Sequence, residues 1–397
     1  MAHEVVLTVG TTSLAVDTWD RYTIRLSMMD PGSPWTFTMW RNAGGGNEPR
    51  TAWTHLREVA KLASPMRFTI DGAVQMAGSI ETHETRADRS GATLTLSGRD
   101  LAGPALSWDA EPTLALRGLP LSTALERIFN PLGIPVTIGL SAEAARSATT
   151  GEVRGTRGAS TSSRTRSVDT AHPRPGEKVW QVAEAITRRL GYLLWTGPDT
   201  AGRLAVIVDA PGYSTAPLYS LERRFTGGEL AGNILRGAES LNLRDVPTEV
   251  FVYTGGARGA AVSARQMRLV SNTALLNRGV NRGFLDAENL GAQPRHVQDT
   301  RSRDLERSER EAMRVIFDGM RRFRTYTCTV AGHGQRGKLY AVNAMARVRD
   351  DVCTSPSGAP LDEEMLVVEV EFNGSRQDGQ TTTLTLVPKG SVLVDAD

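Results

Sequence analysis

The feature that most constrains this chain is a period-two alternation of large apolar side chains across its first hundred residues: Tyr22, Ile24, Leu26 and Met28, then Trp35, Phe37 and Met39, then Leu94 and Leu96. Successive side chains of an extended chain point to opposite faces, so this spacing gives each strand one apolar face. Turns punctuate the pattern at Asp30-Pro31-Gly32, Gly44-Gly45-Gly46-Asn47, Asp71-Gly72 and Ser90-Gly91, where Gly, Asn and Pro suit backbone geometries that other residues resist. One helix, about Thr51 to Leu62, interrupts the series. Residues 4–100 are therefore expected to form an all-β domain, and a small barrel that closes its own edges suits them. A chain of 397 residues exceeds one ordinary core, and domains of ~100–200 residues imply two to four of them.

After Pro104 the period changes. LSTALERIFNPLGIPVTI (121–138) and VWQVAEAITRRLGYLLWT (179–196) each read as a helix ending at Leu-Gly followed by a strand. Aligned without a gap, Glu126 meets Glu184, Ile128 meets Ile186, Leu132 meets Leu190 and Gly133 meets Gly191, which suggests a local repeat. Each glycine fits the left-handed residue that ends a helix. Between the two units, residues 147–177 are rich in Ser, Thr, Gly and Arg. They offer too little apolar surface to offset ordering entropy, so a mobile loop is expected, with Arg154, Arg157, Arg164 and Arg166 as first sites of tryptic cleavage. Strand patterning returns at Leu218 and includes NILRGAESLNLRDVPTEVFVYTGG (233–256), read as a strand pair. An irregular segment then leads to a helix at 301–324, whose Leu305, Ala312, Met313, Ile316, Phe317, Met320 and Phe323 form an apolar stripe. From Tyr326 the chain reads as β to the end, so the second β domain is discontinuous.

Several function classes are not supported by the composition or motifs. Basic and acidic residues nearly cancel, 46 against 44, which gives no electrostatic reason for a nucleic-acid or membrane partner. Cys328 and Cys353 stand outside any metal-ligand spacing and suggest a reducing compartment. The N-terminal MAHEVVLTVG lacks the charge and apolar run of a secretory signal, and no run approaches the ~20 apolar residues of a membrane helix. GHGQRG (332–337) spells a dinucleotide fingerprint, but the following KLYAVNAMARV alternates like a strand, so it reads as a turn. Asp362-Glu363-Glu364 reads as a solvated charged turn. The six histidines are scattered, and neither HExxH nor GxSxG occurs. No catalytic, cofactor-binding or metal-ligating residue is assigned, and no enzymatic activity is expected.

A second internal match bears on architecture. GSIETHETRADRSGATLTLSG (78–98) and VVEVEFNGSRQDGQTTTLTLV (367–387) align without gaps, bringing Glu81, Arg86, Asp88 and Thr93 to Leu96 onto Glu371, Arg376, Asp378 and Thr383 to Leu386. Each segment reads as a hairpin closing a β domain, so the chain would carry one β module twice. With LTLSGRDLAG (94–103), GELAGNILRGAESLNLRDVPTEVFVYTGG (228–256), GHGQRGKLYAVNAMARVRDD (332–351) and SRQDGQTTTLTL (375–386), the order of parts resembles the Mu-like baseplate hub proteins of contractile phage tails. These are related to the hubs of contractile injection systems.

The resemblance implies a mainly β (α+β) fold with two tube-like antiparallel barrels. The first would span 1–103. An α/β domain would follow at 104–215, then a second barrel at 216–259 and 326–397 with a helical insertion at 260–325. It further implies a homotrimeric, pseudo-sixfold adaptor that joins the hexameric tail tube protein to the trimeric central spike protein and encloses a channel. Its site would be the virion tail baseplate, beside other baseplate proteins, after synthesis in the host cytoplasm. No cofactor, membrane or specific nucleic-acid partner is implied, although DNA would pass through the channel. The rival readings are the hub of a non-replicating contractile injection particle and a tail-associated cell-wall hydrolase.

Overall fold

A computed structural model describes residues 3–10, 12–14, 20–42, 58–89, 91–139, 172–189, 192–226, 228–244, 246–254, 267–271, 294–299, 312, 315, 316, 319, 322–354, 359–375 and 378–391. The chain divides into two compact units. One comprises Met1–Ala210, Ala331–Val342 and Val368–Thr383, and the other Pro211–Val330, Asn343–Val367 and Leu384–Asp397. Strands predominate over helices, as the alternation predicts.

In the first unit the strands pair antiparallel in the order Thr12–Leu14, Val5–Val9, Pro65–Ile70, Ala73–Ala87, Gly91–Asp100, Pro34–Asn42, Arg21–Ser27 and then the Glu369–Ser375 part of Pro360–Ser375. The period-two residues face inward as expected: Val5, Leu7, Tyr22, Ile24, Trp35, Phe37, Leu94 and Leu96 are all buried. Bulges between Phe68 and Thr69 and between Ile80 and Thr82 add the local bend and twist that curve a sheet.

The two helix–strand units are present in this same unit. Helix Leu121–Phe129 passes through a short 3-10 turn to Gly133, at φ +65°, and on to strand Val136–Ile138. Helix Val179–Arg189 precedes strand Leu193–Pro198, and Gly191 lies outside the described residues. A third strand, Leu204–Asp209, sits between theirs, parallel to the first and antiparallel to the second. Leu125, Ile128, Phe129, Trp180, Ile186 and Val206 form their core, with Phe129 edge-on to Trp180 at 6.1 Å between ring centroids.

The second unit's pairings run in a circuit. Tyr219–Thr226 pairs parallel with Met345–Thr354, which pairs antiparallel with Pro360–Ser375. That strand pairs with Gly379–Pro388, which pairs with Arg324–Ala331, and this in turn pairs antiparallel with Ile234–Leu241. Upstream of Ile234, separated from it by Asn233 alone, lies Glu229–Gly232, which pairs back onto Tyr219–Thr226. Asn233 makes the change of partner. Its N–H donates to Glu222 O at 2.9 Å, its Oδ1 accepts from Glu222 N–H at 2.7 Å, and its Nδ2 donates to Ser220 O at 2.8 Å.

Three readings of the sequence are corrected. The two runs of 233–256 do not pair with each other. Glu249–Thr254 instead forms a separate sheet between Met267–Ser271 and Pro294–Asp299. The cause is its apolar face: Val250 and Val252 pack with Val246, Val315 and the described part of the stripe, Ala312, Ile316 and Phe323, whereas Leu235 and Leu241 on the first run are exposed. The segment read as helical therefore also contributes strands. Phe317, Met313, Met320 and Leu305 lie outside the described residues, as do most of the helix at 51–62 and the loop as far as residue 171.

The gapless match of the closing hairpins is the third correction. Both hairpins exist, with strands ending at Ala87 and Ser375 and resuming at Gly91 and Gly379. Aligning these turns shifts the sequence match by two residues. An even shift preserves the inward phase of a strand, so Leu94 and Leu96, and Leu384 and Leu386, are buried in either register.

Candidate functional site

GHGQRG forms a tight turn. Gly334–Gln335 pairs with Lys338–Leu339, and the two residues between, Arg336 and Gly337, stand at φ 54° and 75°, the left-handed pair of a two-residue hairpin loop. With a strand pair and no helix behind the glycines, the site has no helix N-terminus to face a pyrophosphate. Its histidine, His333, is fully buried. Thr382 Oγ1 donates to Gly332 O at 2.6 Å, so its remaining capacity at His333 Nδ1, 3.0 Å away, is as acceptor. The ring therefore carries its proton on Nδ1, and Nε2 accepts the Tyr22 hydroxyl. Phe372 packs edge-on at 5.2 Å and His3 stacks on the ring at 5.4 Å between centroids. Gly374 makes room, since a Cβ there would overlap the Tyr22 ring. Burial foremost, then the facing His3, lowers the His333 pKa to about 4, and burial pushes the Tyr22 hydroxyl up.

His3 belongs to a clasp at the start of the first unit. Its N–H donates to Gln380 Oε1 and its carbonyl accepts from Gln380 Nε2, both at 2.6 Å, while its Nδ1 lies 2.6 Å from Asp71 Oδ2. Strand Val5–Val9 begins two residues later. Gln380, on strand Gly379–Pro388, thus holds both backbone groups of the residue that leads into Val5–Val9.

The second unit buries charge instead. Arg223 grips Asp350 through both oxygens, at 3.0 and 2.7 Å, and Tyr326 donates to Asp350 Oδ2 at 2.6 Å. Burial pulls the Asp350 carboxyl up, but the bonds from Arg223, Tyr326 and the Val352 N–H outweigh it and hold the group below its ordinary value. Buried Arg324 donates to Glu239 at 2.6 Å and to both oxygens of Glu363 at 2.9 and 3.0 Å. The acidic run read as a solvated turn is therefore strand. Asp362 accepts from Arg347 and Arg349, Glu363 takes the buried guanidinium, and Glu364 faces Lys389 at 3.6 Å. Alternation along the strand separates the carboxylates.

Among the described residues no group of His, Cys, Asp and Glu could hold a metal ion, and no helix is long and apolar enough to cross a membrane. Burial pushes the Cys328 thiol up to about 12, which suppresses its thiolate. The surface is more informative. Phe225 and Leu230, directly opposite each other on paired strands, are 59% and 52% exposed, and nearby in sequence Leu235 is 57% exposed. Phe225 and Leu230 thus form an adjacent apolar pair exposed on that strand surface.

Comparison with solved structures covers the whole chain. The tail protein of Neisseria meningitidis MC58 matches at a TM-score of 0.71 and 21% identity over 99% of this chain and 98% of that one. The 43 kDa tail protein of prophage MuSo2 from Shewanella oneidensis matches at 0.70 and 17%, over 99% and 100%. The chain has the fold of phage tail proteins. A chain of the half-lidded PdpA–VgrG complex of Francisella shares that tail-protein fold more distantly, at 0.54 and 5% over 100% of this chain and 59% of that one. No protein-family model matches the sequence, and no curated protein is significantly similar to it. The likeness expected from the order of parts is thus found in the fold of the full chain.

Proposed function

We propose that this chain is the structural hub of a contractile phage tail: three copies form a ring that joins the hexameric tail tube to the trimeric central spike and encloses a channel. The observation that carries this reading is the fold match to two phage tail proteins over nearly the entire length of each. Two β regions, each closed by a long hairpin, support the division into two tube-like barrels, at 1–103 and at 216–259 with 326–397, around the α/β domain at 104–215. A sixfold tube must meet a threefold spike, and closed symmetric interfaces must match at both ends. Two barrels per chain let three chains offer six similar surfaces. The exposed Phe225, Leu230 and Leu235 are the side chains best suited to an interface in that assembly. Function then lies in shape and contact, without catalysis, at the tail baseplate of the virion.

The likeness to a chain of the PdpA–VgrG complex favours one second reading, the hub of a non-replicating injection particle, which uses the same architecture. The test is to mix the purified protein with the trimeric spike of the same particle and weigh the complex. Three copies per spike trimer are expected. No association, or clear turnover of peptidoglycan by the pure protein, would refute the adaptor.

A further inference from the structure

We propose that one copy of this chain binds the next by strand pairing: the free edge at residues 81–87 of strand Ala73–Ala87 takes up strand Ile234–Leu241 of a second copy. This rests on the ring argued above and names the strands that join its copies.

The two β regions share a strand order. Numbered 1 to 7 along the chain, the first set is Val5–Val9, Thr12–Leu14, Arg21–Ser27, Pro34–Asn42, Pro65–Ile70, Ala73–Ala87 and Gly91–Asp100. The second is Tyr219–Thr226, Glu229–Gly232, Ile234–Leu241, Arg324–Ala331, Met345–Thr354, Pro360–Ser375 and Gly379–Pro388. Hydrogen-bonded neighbours follow the order 2-1-5-6-7-4-3 in both sets. Strand 1 differs in sense, antiparallel to strand 5 in the first set and parallel to it in the second.

In each set strand 5 covers the first part of strand 6 and stops short of its far part. In the second set that far part has a partner. Glu369–Ser375 pairs antiparallel with Arg21–Ser27, strand 3 of the first set, and Arg25 reaches Glu369 at 2.5 Å, all inside the first compact unit. In the first set, residues 81–87 pair with Gly91–Asp100 and, among the described residues, have no strand on their other side. Strand 3 of the second set, Ile234–Leu241, likewise has Arg324–Ala331 on one side and no described strand on the other. The chain therefore leaves one free edge of each kind, and the pairing already made by Arg21–Ser27 shows how such edges fit. Because both stand unpaired in the single chain, their pairing joins copies head to tail, the contact that closes into a ring.

Backbone and charge suit the match. Asp88 N–H donates to Gly91 O at 2.9 Å, and alternation from that pair points the N–H and C=O groups of His83, Thr85 and Ala87 away from Gly91–Asp100. Glu81 and Glu84 outnumber Arg86 on the free edge, as Glu369 and Glu371 mark the covered one. Ile234–Leu241 offers exposed Arg236, as Arg21–Ser27 offers Arg25, while its own Glu239 is taken by Arg324.

The test is hydrogen exchange at single amides of the unmodified full chain, free and assembled on its trimeric spike. The amides of His83, Thr85 and Ala87 and those of Ile234–Leu241 should gain about tenfold protection or more on assembly, while Glu84 and Arg86, already bonded to Gly91–Asp100, change little. Thr85→Pro removes an outward N–H and none of the hairpin's own bonds. It should weaken assembly about tenfold or more and leave the exchange of Gly91–Asp100 in the free chain unaltered. Failure of the unmodified protein to form a ring would refute the hub reading and this pairing together. A ring of three copies in which either segment stays unprotected would refute the pairing alone, whether or not Thr85→Pro folds, and so would undiminished assembly of a folded Thr85→Pro.

Discussion

The two β regions solve one topological problem with different chemistry. The second brings its strands into a circuit through backbone, because one strand path changes partner at Asn233, and it stabilises the interior with paired charges: Arg223 with Asp350, and Arg324 with Glu239 and Glu363. The first holds the segment before Val5–Val9 through the side chain of Gln380 and stabilises its interior with a neutral network of Tyr22, His333 and Thr382. A backbone closure with ionised partners tolerates mild acid. A buried neutral histidine is more sensitive to it. Two strand-rich regions of one chain can therefore differ in their response to acid.

The largest effect should come from breaking the ionic interior. Asp350→Ala leaves Arg223 and the Tyr326 hydroxyl buried without their shared acceptor, and should cost about 3–5 kcal/mol in urea denaturation. A loss below about 1 kcal/mol would show that the second region does not depend on this pair.

Acid should then separate the two regions. The His333 pKa is depressed on folding, so the unfolded chain takes up that proton first. Its stabilising contribution, about 3 kcal/mol at most, is complete above pH 6.5 and is lost as the pH falls to about 4. Asp350 is a carboxyl whose pKa is also depressed. Its contribution is complete above its ordinary 3.8 and is lost only as the pH falls below that value. Peptide-resolved hydrogen exchange between pH 7 and pH 4.5 should find the first region loosening alone, and simultaneous loosening of Met345–Thr354 would erase the distinction.

Smaller changes refine the comparison. Tyr22→Phe strips His333 Nε2 of its donor and should cost about 1–3 kcal/mol, with the loss confined to the first region. Glu363→Gln keeps a hydrogen-bond acceptor for Arg324 and alters a group that is 31% exposed, so about 1 kcal/mol or less is expected. If thermal unfolding ranked Glu363→Gln above Asp350→Ala, the assignment of the principal buried pair would be wrong.

What the sequence made legible was local. Alternation placed Tyr22, Ile24, Trp35, Phe37, Leu94 and Leu96 inside, and Leu-Gly at 132–133 marked a helix end that adopts the left-handed conformation. The order of such local units was enough to point to the fold. Partnership was harder to read. Val250 and Val252 fit a hairpin strand as well as a helix-covered sheet, and the choice was decided by Ile316 and its neighbours more than sixty residues away. The acidic run concealed Glu363 because its partner, Arg324, stands at the end of a segment read as a helix, 39 residues away. The network around His333 left no sequence signal, since Tyr22 lies 311 residues distant and the histidine sits inside a glycine motif that suggests other chemistry.

The central claim is that two β regions per chain let three copies present six similar surfaces. It is tested most directly by electron microscopy of the protein bound to its spike, averaged down the symmetry axis. Three chains should appear as six similar lobes around a hole. A stable dimer, or a trimer whose chains each contribute one tube-like lobe and one unrelated lobe, would contradict it.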